Sequence, residues 1–151
     1  MKTAEQWFDQ YGQSHRNPIN ERIHWVCIPL IMLSLLGLLR CVPLPVGPDW
    51  LDPAVLLLIL ALGFYARLSV RLALGMLVIG GTLYLGTGWL GALPLPLWAS
   101  SLAVFVLAWI GQFIGHAIEG KKPSFFEDVQ FLLIGPLWLL GAVYRRFGIR
   151  Y

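Results

Sequence analysis

Three histidines carry most of the chemistry open to this chain of 151 residues. His15 and His24 lie in the stretch His15-Arg16-Asn17-Pro18-Ile19-Asn20-Glu21-Arg22-Ile23-His24, where a polar N-terminal segment meets a long apolar run. His116 closes a later apolar run, within Gln112-Phe113-Ile114-Gly115-His116-Ala117-Ile118-Glu119. On a helix, Gln112, His116 and Glu119 fall at i, i+4 and i+7 and share one face, and Asn20 and His24 form a similar pair one turn apart. Neutral imidazoles suit Fe, Zn, Cu or Ni, so three of them gathered at one place would make a metal site. Asn20, Gln112 and Glu119 then either accept the N–H of the ring nitrogens that do not ligate, or Glu119 joins the ligands. Taken singly, a histidine at a membrane interface is more often bonded to a backbone carbonyl. Three predicted at one face favour the metal, and spacing alone does not identify it.

Other chemistries find little support. There is no glycine-rich phosphate loop and no CxxC pair, and Ser69, Ser100 and Ser101 have no histidine or acid at useful spacing. Cys27 and Cys41 are predicted on one helix, about 21 Å apart by helical rise, too far for a disulfide. Arg67 with Arg71, and Lys121 with Lys122, read as topology anchors or, less simply, as contacts to a lipid phosphate or a substrate carboxylate. No basic block is long enough to suggest nucleic acid.

The elements that position the histidines must be membrane helices. The chain is 58% hydrophobic and 13% charged, whereas soluble domains carry about 25% charged residues. Residues 1–22 are polar rather than signal-like, so the first apolar run is expected to remain as a span. We expect an all-α, multi-pass helical bundle forming one domain over residues 1–151. Its spans fall at about 23–40, 53–67, 72–90 and 96–116, followed by a bent or interfacial helix over 124–147.

Thr3 is an expected N-cap for a short amphipathic helix with Trp7, Phe8 and Tyr11 on its stripe. That helix lies along the membrane interface or packs on the protein itself. Asn17-Pro18 reads as an N-cap followed by Pro at N1. Trp50 and Tyr65 are expected as interfacial anchors of the second span. Residues 72–118 carry no formal charge over 47 positions, too long for one crossing, and the Gly- and Pro-rich stretch 86–96 is the expected break. Gly135-Pro136 is expected to interrupt the last apolar run, which Glu127 and Asp128 open with charges suited to a helix N-terminus.

With the N-terminus in the cytoplasm, Lys2, Arg16, Arg22, Arg67, Arg71, Lys121 and Lys122 all fall inside, and Arg40 is the one misplaced base. A full fifth span would put Arg145, Arg146 and Arg150 outside, so the last segment is expected to return. This topology brings His15, His24 and His116 to the cytoplasmic face at similar depth. The membrane itself, a bacterial inner membrane or an endoplasmic reticulum, stays open.

These segments resemble the Mpo-like proteins, small multi-pass 2-hydroxy fatty acid dioxygenases of phytosphingosine breakdown to odd-numbered fatty acids. The first signature is carried by Tyr11, His15, Asn20, His24 and Pro29, the second by Gln112, Gly115, His116, Glu119 and Pro123. Both ends of the chain are covered; the middle matches only as apolar spans. One departure is that many members place the acid four residues after the histidine, whereas Glu119 stands three after, a shift of about 100° on a helix. The resemblance implies an Fe(II)-dependent dioxygenase that shortens a 2-hydroxy fatty acid by one carbon with O2, with His15, His24 and His116 holding the iron. With that activity, an acyl chain is expected to lie between the spans, its hydroxyl and carboxylate chelating the iron at the cytoplasmic face, with Arg16, Arg22 or Lys122 as the candidates to neutralise the carboxylate. Two alternatives stand beside it: a zinc-dependent membrane lipid hydrolase with Glu119 as general base, and a non-catalytic lipid-binding membrane scaffold.

Overall fold

Local signals start most of the helices. Thr3 caps α1 (Ala4–Gly12) in a reciprocal capping box with Gln6, and the Asn17 side chain accepts from the Ile19 amide ahead of Pro18 at the start of α2 (Pro18–Arg40). Asp52 caps α3 (Pro53–Leu68), and Ser69 alone links it to α4 (Val70–Gly91), ending one helix and capping the next. Pro96 precedes α5 (Leu97–Glu119), which stops at Gly120 in the left-handed conformation, φ 70°. α6 (Phe131–Arg146) completes the bundle. This computed structural model describes every residue except Met1, Val46, Asp49 and residues 125–128, so the expected acidic start at Glu127 and Asp128 lies outside the described residues.

Among the described residues α2, α4 and α5 are long and apolar enough to cross a membrane, and α3 is a shorter apolar helix of 16 residues. Large apolar side chains such as Leu60, Val78, Leu85 and Leu107 face outward, as lipid-exposed positions should. Exposed Trp50, Trp89 and Trp98 gather where α3 begins, α4 ends and α5 begins, an arrangement that suits an aromatic belt. Tyr65 is not such an anchor. It is 3% exposed and donates its hydroxyl to the Leu133 carbonyl at 2.9 Å.

Two expected breaks are helical. Gly86, Thr87 and Gly88 belong to α4, and only residues 92–96 turn the chain. Thr87 is fully buried, bonds back to the Tyr84 carbonyl and accepts from Arg40 at 2.5 Å. Arg40 also lies 3.6 Å from Asp52 and over the Tyr84 ring, so the base that violated the charge rule is neutralised where it stands. Pro136 likewise sits inside a continuous α6.

α2 and α5 meet through small residues, which lets their backbones approach. A Cβ at Gly111 would stand 2.6 Å from Cys27 Sγ, and one at Gly115 would fall on Asn20 Oδ1. Gly111→Leu is therefore expected to cost about 1–3 kcal/mol by overpacking, measurable as a lower melting temperature in detergent.

α1 and α6 build the cover over one end. Trp7, Phe8 and Tyr11 are buried, so α1 packs on the protein. Trp7 meets Phe131 edge-on at 5.4 Å. Toward the other end of α6, Tyr144 donates to the Arg71 carbonyl and Arg71 donates to the Arg150 carbonyl. Both ends of α6 are thus fastened to elements at the histidine end of the bundle.

Candidate metal centre

Three elements deliver one imidazole each to the same buried point. His15 comes from the loop between α1 and α2, His24 from the second turn of α2, and His116 from the last turn of α5. Their exposures are 5%, 1% and 5%. Ring centroids lie 4.3 Å apart for His15 and His24, 5.0 Å for His15 and His116, and 4.9 Å for His24 and His116. One nitrogen from each falls within 4.8 Å of the others. Inward shifts under about 1 Å would bring all three to the roughly 2.1 Å bonds of a histidine-ligated metal.

Main-chain carbonyls set two tautomers. His15 Nδ1 lies 2.7 Å from the Tyr11 carbonyl oxygen and His24 Nδ1 lies 2.9 Å from that of Asn20. A carbonyl oxygen only accepts, so each Nδ1 carries the proton and each Nε2 keeps its lone pair. The expected acceptors, the side chains of Asn20, Gln112 and Glu119, do not perform this task. The backbone one helical turn earlier does. His15 stacks on Tyr11 at 4.1 Å with an interplanar angle of 15° and touches Trp138 at 5.7 Å. Burial pushes the His15 imidazole below its ordinary pKa, against the opposing pull of the Tyr11 carbonyl and Glu119, so it is neutral at neutral pH.

Two buried ring nitrogens, His15 Nε2 and His116 Nδ1, have no hydrogen-bond partner among the described residues. Burying such polar nitrogens unpaired is costly. On rings gathered at one point, such unpaired nitrogens suit a cation of the kind imidazole ligands hold.

Glu119 stands outside that group. Its carboxylate accepts from the Arg16 amide at 3.0 Å, the Asn17 amide at 2.8 Å and Asn20 Nδ2 at 3.1 Å. The end of α5 is thereby clipped to the loop carrying His15 and to the start of α2. Asn20, fully buried, also donates to the Ser14 carbonyl at 3.1 Å. Lys121 adds a bond to the Gln13 carbonyl at 2.9 Å.

An apolar groove of about 290 Å³ opens from the imidazoles between α2, α5 and α6. His24 and His116 form its polar end together with Tyr11, Gln112 and Ser124. Gln112 is therefore in the groove, on the face of α5 that also presents Phe105 and Trp109. From His24 the wall follows Ile28, Ile31 and Leu35, eleven residues or about 16 Å of helix. No lysine or arginine lines it among the described residues. Arg16, Arg22 and Lys122 are exposed, and Arg16 borders a separate surface depression with Glu5, Asp9 and Arg145.

Residues 1–147 match the family described as 2-hydroxy-palmitic acid dioxygenase Mpo1-like. The chain belongs to the Mpo1-like family. It is also 26% identical over 155 residues to the 2-hydroxy-palmitic acid dioxygenase MPO1 of Saccharomyces cerevisiae, a match covering 91% of this chain and 78% of that protein. No solved structure is a significant match. An Mpo1-like chain with three buried histidines at one point is a dioxygenase-family protein with a candidate metal site.

Tyr11 and Trp138 pack against His15, and Phe131 packs on Tyr11; of these the sequence points only to Tyr11, through the aromatic stripe of α1 and the family signature. The buried face of α6, Phe131, Ile134, Gly135 and Trp138, carries the helical spacing that could have pointed to the other two.

Proposed function

We propose that this chain is an Fe(II)-dependent dioxygenase that converts a 2-hydroxy fatty acid to the acid one carbon shorter, using O2. The observation that carries the proposal is a cluster of three buried imidazoles, two of which, His24 and His116, line the polar end of an apolar groove, in a chain whose family is described as 2-hydroxy-palmitic acid dioxygenase. His15, His24 and His116 would hold the iron. Bound there, iron supplies the redox chemistry that lets O2 react with the hydroxy acid.

The chain's own residues do the rest. The groove takes the acyl chain and excludes water from it, and its helical walls fix the head at the imidazole end. Gln112 and Ser124 offer that head neutral hydrogen-bonding groups rather than a counter-charge. The carbonyls of Tyr11 and Asn20 keep the protons of His15 and His24 on Nδ1, so that Nε2 is free to ligate. Glu119 and Asn20 are positioning residues: they hold the His15 loop against α5. The site faces the cytoplasm, the side that the arginines and lysines near it favour.

Glu119→Gln tests the positioning role. The amide keeps the shape but turns one acceptor into a donor, so one of the Arg16 or Asn17 amides loses its partner. Iron affinity is expected to fall about 10- to 100-fold, with Glu119→Asp restoring part of it. Unchanged affinity in Glu119→Gln would remove the clip from the account.

The activity is tested with purified protein loaded with Fe(II) anaerobically and mixed with O2 and a 2-hydroxy fatty acid. O2 uptake with release of the acid one carbon shorter is the expected result. Stoichiometric iron with neither uptake nor a shortened product would overturn the proposal.

A further inference from the structure

Below the imidazole groove lies a second apolar chamber of about 90 Å³ between α2, α3, α4 and α6. The two chambers share Met32, Leu35, Leu132 and Pro136 in their walls. The far side of the second is built by Ala61 and Leu62 of α3 and by Met76 and Gly80 of α4. Neither α3 nor α4 touches the groove at the imidazoles. The four shared residues therefore stand where the two chambers adjoin.

We infer that Met32 is a movable septum between the two chambers and determines the longest acyl tail the protein accepts. This rests on the reading of the groove as an acyl site. Met32 is half-buried and unbranched, and methionine, with three rotatable bonds, repacks more readily than a branched neighbour. Leu132 and Pro136 belong to α6, and Leu35 stands one turn beyond Met32, so Met32 is the flexible member of the four. With Met32 across the opening, the first chamber holds the part of the tail nearest the head. When it swings aside, the second chamber receives the end of a longer tail. Gly80 keeps that chamber open: a Cβ there would come 2.8 Å from Leu58 Cδ2.

The test uses iron-loaded protein in detergent and a homologous series of saturated 2-hydroxy fatty acids. Two readouts are taken for each acid: the shift in melting temperature, and O2 uptake. Met32→Ala should move the preference toward longer acids, and Met32→Phe toward shorter ones. Each change in the long-to-short ratio of kcat/KM should be about tenfold or more, since a single methylene in an apolar pocket is discriminated by that much. Ala61→Leu, which narrows the far chamber from α3 and leaves Met32 itself unchanged, should act as Met32→Phe does.

Binding profiles that move in these directions, with or without turnover, support the septum. Profiles that stay superimposable on the wild type in folded Met32→Ala and Met32→Phe would overturn it, even if turnover is intact. Absence of turnover in the wild type, with tail-dependent binding present, would instead count against the proposed reaction and leave the septum standing.

Discussion

Replacing His24 by alanine is expected to abolish turnover, by on the order of 10³-fold or more, as removing a group that works as part of a unit does. His24 is the most enclosed of the three histidines, at 1% exposure. Its Nδ1 is fixed by the Asn20 carbonyl, so its Nε2 is already aimed. Taking it away leaves two imidazoles and a void, and neither Gln112 nor Glu119 is placed to substitute. Glu119 has both oxygens engaged by three N–H donors. The same engagement speaks against the zinc hydrolase reading, which needs Glu119 free as a base. Iron content and melting temperature must be measured alongside. Loss of iron in a protein that still melts cooperatively is the expected pattern. Retained turnover would rule out the three-histidine site.

The second large effect should come from filling the groove without touching the imidazoles. Ile31 lies on the groove wall seven residues from His24, about 10 Å along the helix. Ile31→Trp is expected to lower kcat/KM for long 2-hydroxy acids by about 10²-fold, in line with steric discrimination in apolar pockets. Bound iron should be unchanged. The separation of these two readouts distinguishes an acyl groove from a merely structural gap. If long acids react normally in Ile31→Trp with iron intact, the tail does not lie between α2, α5 and α6.

What the sequence disclosed about this fold was mostly local. Thr3, Asn17-Pro18 and the apolar runs announce helices because capping and hydrophobic length act within a few residues. The convergence of His15, His24 and His116 followed from span counting and the placement of arginines and lysines, which needs only the sign of charges in short loops. The details that control the site were not legible in the same way. Two histidines bond to the carbonyls of Tyr11 and Asn20, and a carbonyl belongs to every residue, so side-chain identity gives no sign of it. Glu119 reaches across the whole chain to amides at Arg16 and Asn17, a partnership set by packing of α2 on α5. The stretch 86–88 reads as a break because glycines disfavour helices on average. Here Thr87 is held by Tyr84 and Arg40, and tertiary contact overrides the propensity. Tyr65 differs from expectation for a similar reason. An aromatic near a span end suits the interface, but its hydroxyl found the Leu133 carbonyl inside.

Non-catalytic lipid binding would leave the groove explained and the histidines unexplained. A scaffold has no use for buried imidazole nitrogens such as His15 Nε2 and His116 Nδ1, which lack partners among the described residues and whose burial costs stability unless something binds them. A metal centre accounts for both features together.

The most direct test is the metal content of the detergent-purified protein, prepared anaerobically and reconstituted with Fe(II), wild type beside His116→Ala. Close to one iron per chain is expected in the wild type and background in the variant, with both proteins folded. Equal iron in the two, or none in either, would contradict the three-histidine centre; tight stoichiometric zinc in place of iron would keep the centre and contradict the dioxygenase.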